Sequence, residues 1–301
     1  AYPLMSRKTL PDPLLSNTSL KIPPFPDMIE GRTREAFMNL QISPLLSSSS
    51  GNTSLLSTES TTLLVDAGAA GSLIEKAIRE VGFSPASLGG ILITHEHMDH
   101  IKGAGVLSRK YDLPIYANAA TWEQMQPKIG EVALHNIRII DNNEFFLGDF
   151  CVLPIPLSHD AAQPIGYSLM AGGRKITILT DTGKVTPKML DAAEGSTIVL
   201  LEANHDVAML QSGPYPARLK HRILSGRGHL SNDNAAEAAI ALCCRGVRGI
   251  LLGHLSSHNN TKQLAYDTVR AACERAGIQV DRDLALRTAN RRSITGTYPC
   301  K

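Results

Sequence analysis

Thr94-His95-Glu96-His97-Met98-Asp99-His100 packs three histidines and one aspartate into six residues, in the order H-x-H-x-D-H. The run before it, Gly90-Ile91-Leu92-Ile93, is uninterrupted apolar sequence and predicts a buried strand. Ile101-Lys102-Gly103-Ala104-Gly105 and a helix-compatible segment follow. The polar cluster is therefore expected on a loop at the end of a central strand, where open α/β sheets place their sites. Imidazole and carboxylate suit zinc, manganese or iron. Alternate residues on an extended loop diverge, so the four groups are not expected to meet at one ion. His95 and His97 are read as serving one metal, Asp99 and His100 a second. A lone histidine at a strand end is usually structural; the full pattern behind a buried strand favours metal binding.

Working outward, strand after strand ends in a potential ligand. Thr61-Thr62-Leu63-Leu64-Val65 runs into Asp66, Ile176 to Thr180 into Asp181, Thr197 to Leu201 into Glu202, and Gly249 to Gly253 into His254. Taken singly, each acid reads as a helix cap or turn former. Side by side in a sheet, these strands would bring Asp66, His95, Asp181, Glu202 and His254 to one rim. Between them the chain alternates strand and helix. Leu73, Ile74, Ala77, Ile78 and Val81 have helical spacing closed by Gly82, Ser231 caps an Ala-rich helix to Leu242, and Thr261 to Ala276 is amphipathic. Ser47 to Asn52 is a turn-forming cluster, and Pro154 and Pro156 mark an edge position or strand end.

Residues 1–37 differ: they are rich in Pro, Ser and Thr and lack periodicity. Ile29-Glu30-Gly31-Arg32 equals a common engineered protease site, so the segment reads as a vector-derived or extended tail. A native flexible arm is the competing reading. The catalytic domain is expected over 38–301. With 43% hydrophobic and 19% charged residues the composition is that of a soluble globular chain, and a net charge of +2 makes no global case for a polyanionic partner. No apolar run approaches a membrane span, which predicts no membrane partner. Five cysteines, an odd count without a C-x-x-C pair, predict reduced thiols and a cytoplasmic protein.

These motifs resemble those of the metallo-β-lactamase fold superfamily. Val65-Asp66-Ala67-Gly68 looks like its first motif and His95, His97, Asp99 and His100 match the second. Ser158-His159-Asp160 resembles the third, Thr180-Asp181-Thr182-Gly183 the fourth and Gly253-His254-Leu255-Ser256 the fifth. The resemblance implies an α/β fold, a four-layer αββα sandwich. It also implies two divalent ions, zinc or manganese: one on His95, His97 and His159, the other on Asp99, His100 and His254, with Asp181 bridging. Asp66 would support a ligand from behind.

Glu202-Ala203-Asn204-His205-Asp206, Gly228-His229-Leu230-Ser231-Asn232 and His254 with Asn259-Asn260 narrow the match. They resemble the YycJ/WalJ group of bacterial DNA nucleases. Ser48 departs from that group's pattern, which has glycine there. The group implies a 5′-to-3′ DNA exonuclease with a role in DNA repair, in which a hydroxide shared by the two metals is the nucleophile. Asp99, as ligand, and His229, oriented by Glu202 and assisting at the scissile phosphate, would complete the catalytic set. His205 is a candidate substrate contact.

Arg218-Leu219-Lys220-His221-Arg222 with Arg227 is the best local candidate for contact with a DNA backbone, Arg222 and Arg227 above all. Ser49, Ser50 and Asn52 offer groups for a terminal phosphate. RNA as a substrate and a homo-oligomer stay open. The alternative activity is a thioester or lactone hydrolase of the glyoxalase II kind, which shares the ligands; the Glu202/His229 pair and the basic run argue against it.

Overall fold

The computed structural model describes residues 39–49, 51–291 and 293–300, so the expected tail over 1–37 and the candidate Ser50 lie outside the described residues. Two seven-stranded mixed sheets form the centre. In order, the first contains β14 (Tyr298–Pro299), β1 (Gln41–Ser48), β2 (Gly51–Ser57), β3 (Thr62–Val65), β4 (Gly90–Leu92), β5 (Ile115–Asn118) and β6 (Ile137–Ile140). The second contains β13 (Ala285–Thr288), β12 (Gly249–Gly253), β11 (Ile198–Glu202), β10 (Arg174–Leu179), β9 (Ile165–Ala171), β8 (Phe150–Pro156) and β7 (Phe145–Leu147).

The sheets pack face to face through Ile42, Leu56, Leu63 and Leu92 on one side and Phe150, Tyr167, Ile176 and Leu200 on the other. Helices α1 (Gly71–Glu80), α3 (Ala104–Tyr111) and α4 (Ala119–Ile129) bury Ile74, Leu107, Trp122 and Met125 against the outer face of the first sheet. Helices α5 (Pro187–Ala193), α8 (Asn232–Cys244) and α9 (Lys262–Arg275) do the same on the second with Met189, Leu242 and Val269. This is the expected αββα sandwich. It explains why β4 reads as unbroken apolar sequence: Ile91 and Ile93 pack under the helices while Leu92 faces the opposite sheet.

Strand direction places the site. β3 and β4 are parallel, as are β10, β11 and β12, so each group ends on one rim. Three of the residues just past these ends sit in left-handed backbone: Asp66 at φ 61°, Asp181 at φ 62° and His254 at φ 53°. Non-glycine residues rarely hold that conformation, and it concentrates at functional sites.

The turn expected over 47–52 is tighter than its composition suggests. Ser47 and Ser48 finish β1, Gly51 and Asn52 open β2, and Ser48 pairs with Gly51. Ser48 lies in extended strand and bridges to Leu255, which accommodates a side chain where glycine was expected. Pro154 lies inside β8, but β7 pairs only Phe150 to Val152, so the proline stands beyond the reach of that neighbour. Among the described residues all five cysteines are free, and no helix is long and apolar enough to cross a membrane.

One buried hydrogen bond ties the second sheet to the metal-loop strand: the Tyr167 hydroxyl donates to the carbonyl of Ile93 at 2.7 Å. Tyr167→Phe is expected to destabilise the fold by about 1–3 kcal/mol, because the carbonyl is left buried and unpaired. Urea denaturation checks this; a midpoint equal to that of the parent would show that the bond contributes nothing.

Candidate metal centre

The loop after β4 carries His95 and His97 and enters α2 (Met98–Ile101), whose first turn presents Asp99 and His100. Four overlapping groups of donor atoms converge here, each within 4.8 Å of one another: His95, His97 and His159; His95, His100 and Asp181; Asp99, His100 and His254; and Asp181, Glu202, His229 and His254. All seven residues expected as ligands therefore meet, although they come from four separate strand ends. His95 Nε2 and His97 Nδ1 lie 3.1 Å apart, His100 Nε2 is 3.2 Å from Asp181 Oδ2, and His254 Nε2 is 3.8 Å from Asp99 Oδ2.

Hydrogen bonds behind the donors decide which ring nitrogen faces inward. His159 Nδ1 donates to the carbonyl of Gly228 at 2.9 Å, His254 Nδ1 to Glu202 Oε1 at 2.8 Å, and His100 Nδ1 to Asp66 Oδ2 at 2.7 Å. Each leaves Nε2 to the pocket, the arrangement in which an outer carboxylate or carbonyl orients a ligating imidazole. Asp66 is held in turn by the Thr94 amide and hydroxyl, at 2.9 Å to each carboxylate oxygen.

Whether a divalent cation fits can be judged from what these groups lack. His159 Nε2, His254 Nε2 and Asp181 Oδ2 are buried without a hydrogen-bond partner. Asp181 Oδ2 comes close to His100 Nε2, but not in hydrogen-bonding geometry. Buried polar atoms are normally paired, and three unpaired donors facing one space are what a bound cation would satisfy. The donor set, imidazole nitrogen and carboxylate oxygen, is compatible with divalent metal binding.

Electrostatics agree. Burial holds His95 well below the usual histidine range and lowers His97 and His159, which keeps them neutral and able to ligate. Burial also opposes the charged form of His254 and His100, yet the carboxylates override it. Asp181, with Asp99 and Glu202, pushes His254 up to about 10, and Asp181, Asp66 and Asp99 raise His100 well above its ordinary value. The buried carboxylates thus draw positive charge into the pocket, a role a metal ion can take over from protons.

Glu202 is wholly buried and fully occupied. Its Oε1 accepts from the Nδ1 of both His229, at 2.7 Å, and His254, at 2.8 Å, while Oε2 accepts from the amide of Thr182 at 2.9 Å. Against the cost of burial, His229 and His254 pull its carboxyl down to about 2. His229 keeps its Nε2 clear of this carboxylate, and its side chain retains 16% exposure, on the open side of the cluster with the part-buried His97 and Asp99.

The remaining candidates divide. Asn52 Nδ2 stands 3.1 Å from His100 Nε2 and 3.4 Å from Asp99 Oδ2, so it belongs to the centre itself. Ser49 is exposed at the hairpin, and no hydrogen bond links it to the cluster among the described residues. His205 is buried and neutral, its pKa lowered by burial to about 4, and neither ring nitrogen has a partner. Arg227 donates through Nε and Nη2 to the carbonyl of His159, at 3.3 and 3.2 Å. Arg222, on α7 (Ala217–Leu224), grips Asp160. Thr94 and Asp160 were not singled out in the sequence; their only signal is adjacency to ligands.

Comparison with known proteins places this geometry. A family model described as a β-lactamase superfamily domain matches residues 61–254. A protein named exodeoxyribonuclease YycJ from Bacillus anthracis is 41% identical over 81% of this chain and 92% of its own length. Exodeoxyribonuclease WalJ from Streptococcus pneumoniae is 43% identical over 77% of this chain and 87% of its own. In structure, the metallo-β-lactamase fold protein YhfI from Bacillus subtilis superposes with a TM-score of 0.65 at 15% identity, covering 87% of this chain and 99% of that one. The chain belongs to the β-lactamase superfamily, in the group of YycJ and WalJ.

Proposed function

We propose that this chain is a metal-dependent phosphodiesterase, a 5′-to-3′ DNA exonuclease acting in DNA repair in the cytoplasm, with the catalytic domain over 38–301. The observation that carries the reading is the shared carboxylate of Glu202, which aligns His254 toward the metal pocket and His229 toward its mouth. The names of the YycJ and WalJ relatives support DNA as the partner. His95, His97 and His159 would hold one ion, Asp99, His100 and His254 a second, with Asp181 between them, as zinc or manganese. Divalent ions bound there would supply Lewis acidity, the chemistry that brings the pKa of water toward about 7 and offsets charge on phosphate oxygens.

The chain's own part is orientation and proton transfer. Glu202 accepts the hydrogen bond of His229 Nδ1, which turns Nε2 toward the place a leaving oxygen would occupy. Asp66 and Thr94 fix the imidazoles of His100 and His95. His229→Ala is expected to lower turnover of DNA by roughly 10²–10⁴-fold while metal content stays at the parent level. The decisive assay incubates the protein with 5′- and 3′-labelled DNA and RNA under Zn²⁺ or Mn²⁺. Release of mononucleotides from the 5′ end of DNA is expected; turnover of small thioesters alone would overturn the reading.

A further inference from the structure

The two arginines beside the centre hold different kinds of partner. Arg227 donates to a backbone carbonyl, that of His159, and the same loop has two other ties: His159 Nδ1 to the Gly228 carbonyl and the Ser158 hydroxyl to the Gly226 carbonyl. The loop is anchored without Arg222. The Arg222 fork closes instead on a side chain, with Nε on Asp160 Oδ2 and Nη2 on Asp160 Oδ1 at 3.1 Å. That carboxylate is not in any of the convergent donor groups, yet its Oδ1 lies 3.4 Å from His159 Nε2, the nitrogen that faces the metal pocket. Both side chains are part exposed, at 48% and 32%.

We propose that the Asp160 carboxylate stands in for a substrate phosphate, and that Arg222 passes between the two as the phosphodiester enters and leaves. A guanidinium fork matches carboxylate and phosphate with the same two-pronged geometry. The pair is part exposed, so solvent screens it and an incoming phosphate can reach the fork and replace the carboxylate. Asp160 would then keep Arg222 aimed at the mouth when no substrate is present and displace the product phosphate after cleavage. Arg227 cannot take this part, because releasing its carbonyl would loosen His159. Asp160 and Arg222 are positioning residues in this scheme, and the scheme rests on the phosphodiester reading above.

The test measures inorganic phosphate binding to the metal-loaded protein by calorimetry, alongside DNA cleavage and metal content. Asp160→Asn is expected to tighten phosphate binding by roughly three- to fivefold, to lower KM for DNA by a similar factor without raising kcat, and to leave metal content unchanged. Arg222→Ala should weaken phosphate binding by roughly tenfold or more, with Arg222→Lys restoring part of it. In the Arg222→Ala background, Asp160→Asn should no longer tighten phosphate binding. Unchanged or weaker phosphate binding in Asp160→Asn, an effect that persists without Arg222, or loss of metal from Asp160→Asn would each overturn the exchange. The expected phosphate series in a protein that cleaves no nucleic acid would support the exchange and reject the nuclease reading.

Discussion

Asp181→Asn is expected to lower phosphodiester turnover by at least roughly 10³-fold and to reduce bound metal. Changes to groups that merely support a ligand lose about 10–100-fold, and Asp181 is central rather than supporting. Its carboxylate lies 3.2 Å from both His100 Nε2 and His254 Nδ1, and 3.9 Å from His159 Nε2. It is buried and its carboxyl is held well below the usual range, against burial, by His254 and His100. Asparagine keeps the shape and tolerates the left-handed backbone found here, at φ 62°. The variant should therefore fold, and the loss can be assigned to the missing charge. Elemental analysis and single-turnover cleavage check this; an Asp181→Asn protein with parental metal content and rate would remove Asp181 from the centre.

Gly68→Ala is expected to be the most damaging change of a single methyl group. An added β-carbon would lie 1.7 Å from the Asp99 carbonyl oxygen, 2.4 Å from its carbon and 2.6 Å from the Asn52 amide nitrogen. All three are backbone atoms, so no side chain can swing aside. The same turn is pinned on both sides: the Gly68 amide donates to the Asn52 carbonyl at 2.8 Å and the Ala67 amide to that of His100 at 2.7 Å. Relief must push the Asp99–His100 turn away from β2. A cost of about 3 kcal/mol or more follows, a fall in Tm of roughly 6–12 °C, and metal loss out of proportion to it. Gly277→Ala is the control. Its φ of 82° is strained for alanine, but the space is open, so about 1–2 kcal/mol is expected with metal content intact. Equal Tm and metal content in Gly68→Ala and the parent would show that this close approach imposes no constraint.

Much of the framework was legible because two signals coincide in this chain. Strands buried on both faces, such as Gly90–Leu92 and Ile198–Glu202, are apolar runs, the first followed three positions on by His95 and the second closed by Glu202. β9 went unread although Ile165, Tyr167 and Leu169 alternate, because Gly166 and Ser168 between them weaken the pattern. The short helix α6 (Val207–Ser212) and α7 were likewise unread. α6 has six residues and buries only Leu210, while in α7 the charged run Arg218 to Arg222 masks the helical spacing of Leu219 and Ile223.

The roles of Asn52, Asp160 and Arg227 were not legible. Asn52 looked like part of a phosphate-holding turn, yet strand pairing of Ser47 with Asn52 brings its amide to His100. Arg227 looked like a charge for DNA, yet it spends its donors on a carbonyl far away in sequence.

What the order of residues determined alone was the kind of chemistry: the H-x-H-x-D-H stretch and the acids and histidine at strand ends set the donor types, and apolar periodicity set the layers. Tertiary structure decided which nitrogen of each imidazole faces the pocket, which arginine is committed to backbone and which to a part-exposed carboxylate, and how near Gly68 lies to Asp99. Those are matters of distance between residues remote in the chain. Local propensity carries no information about them; strand direction, sheet register and the packing of two sheets do.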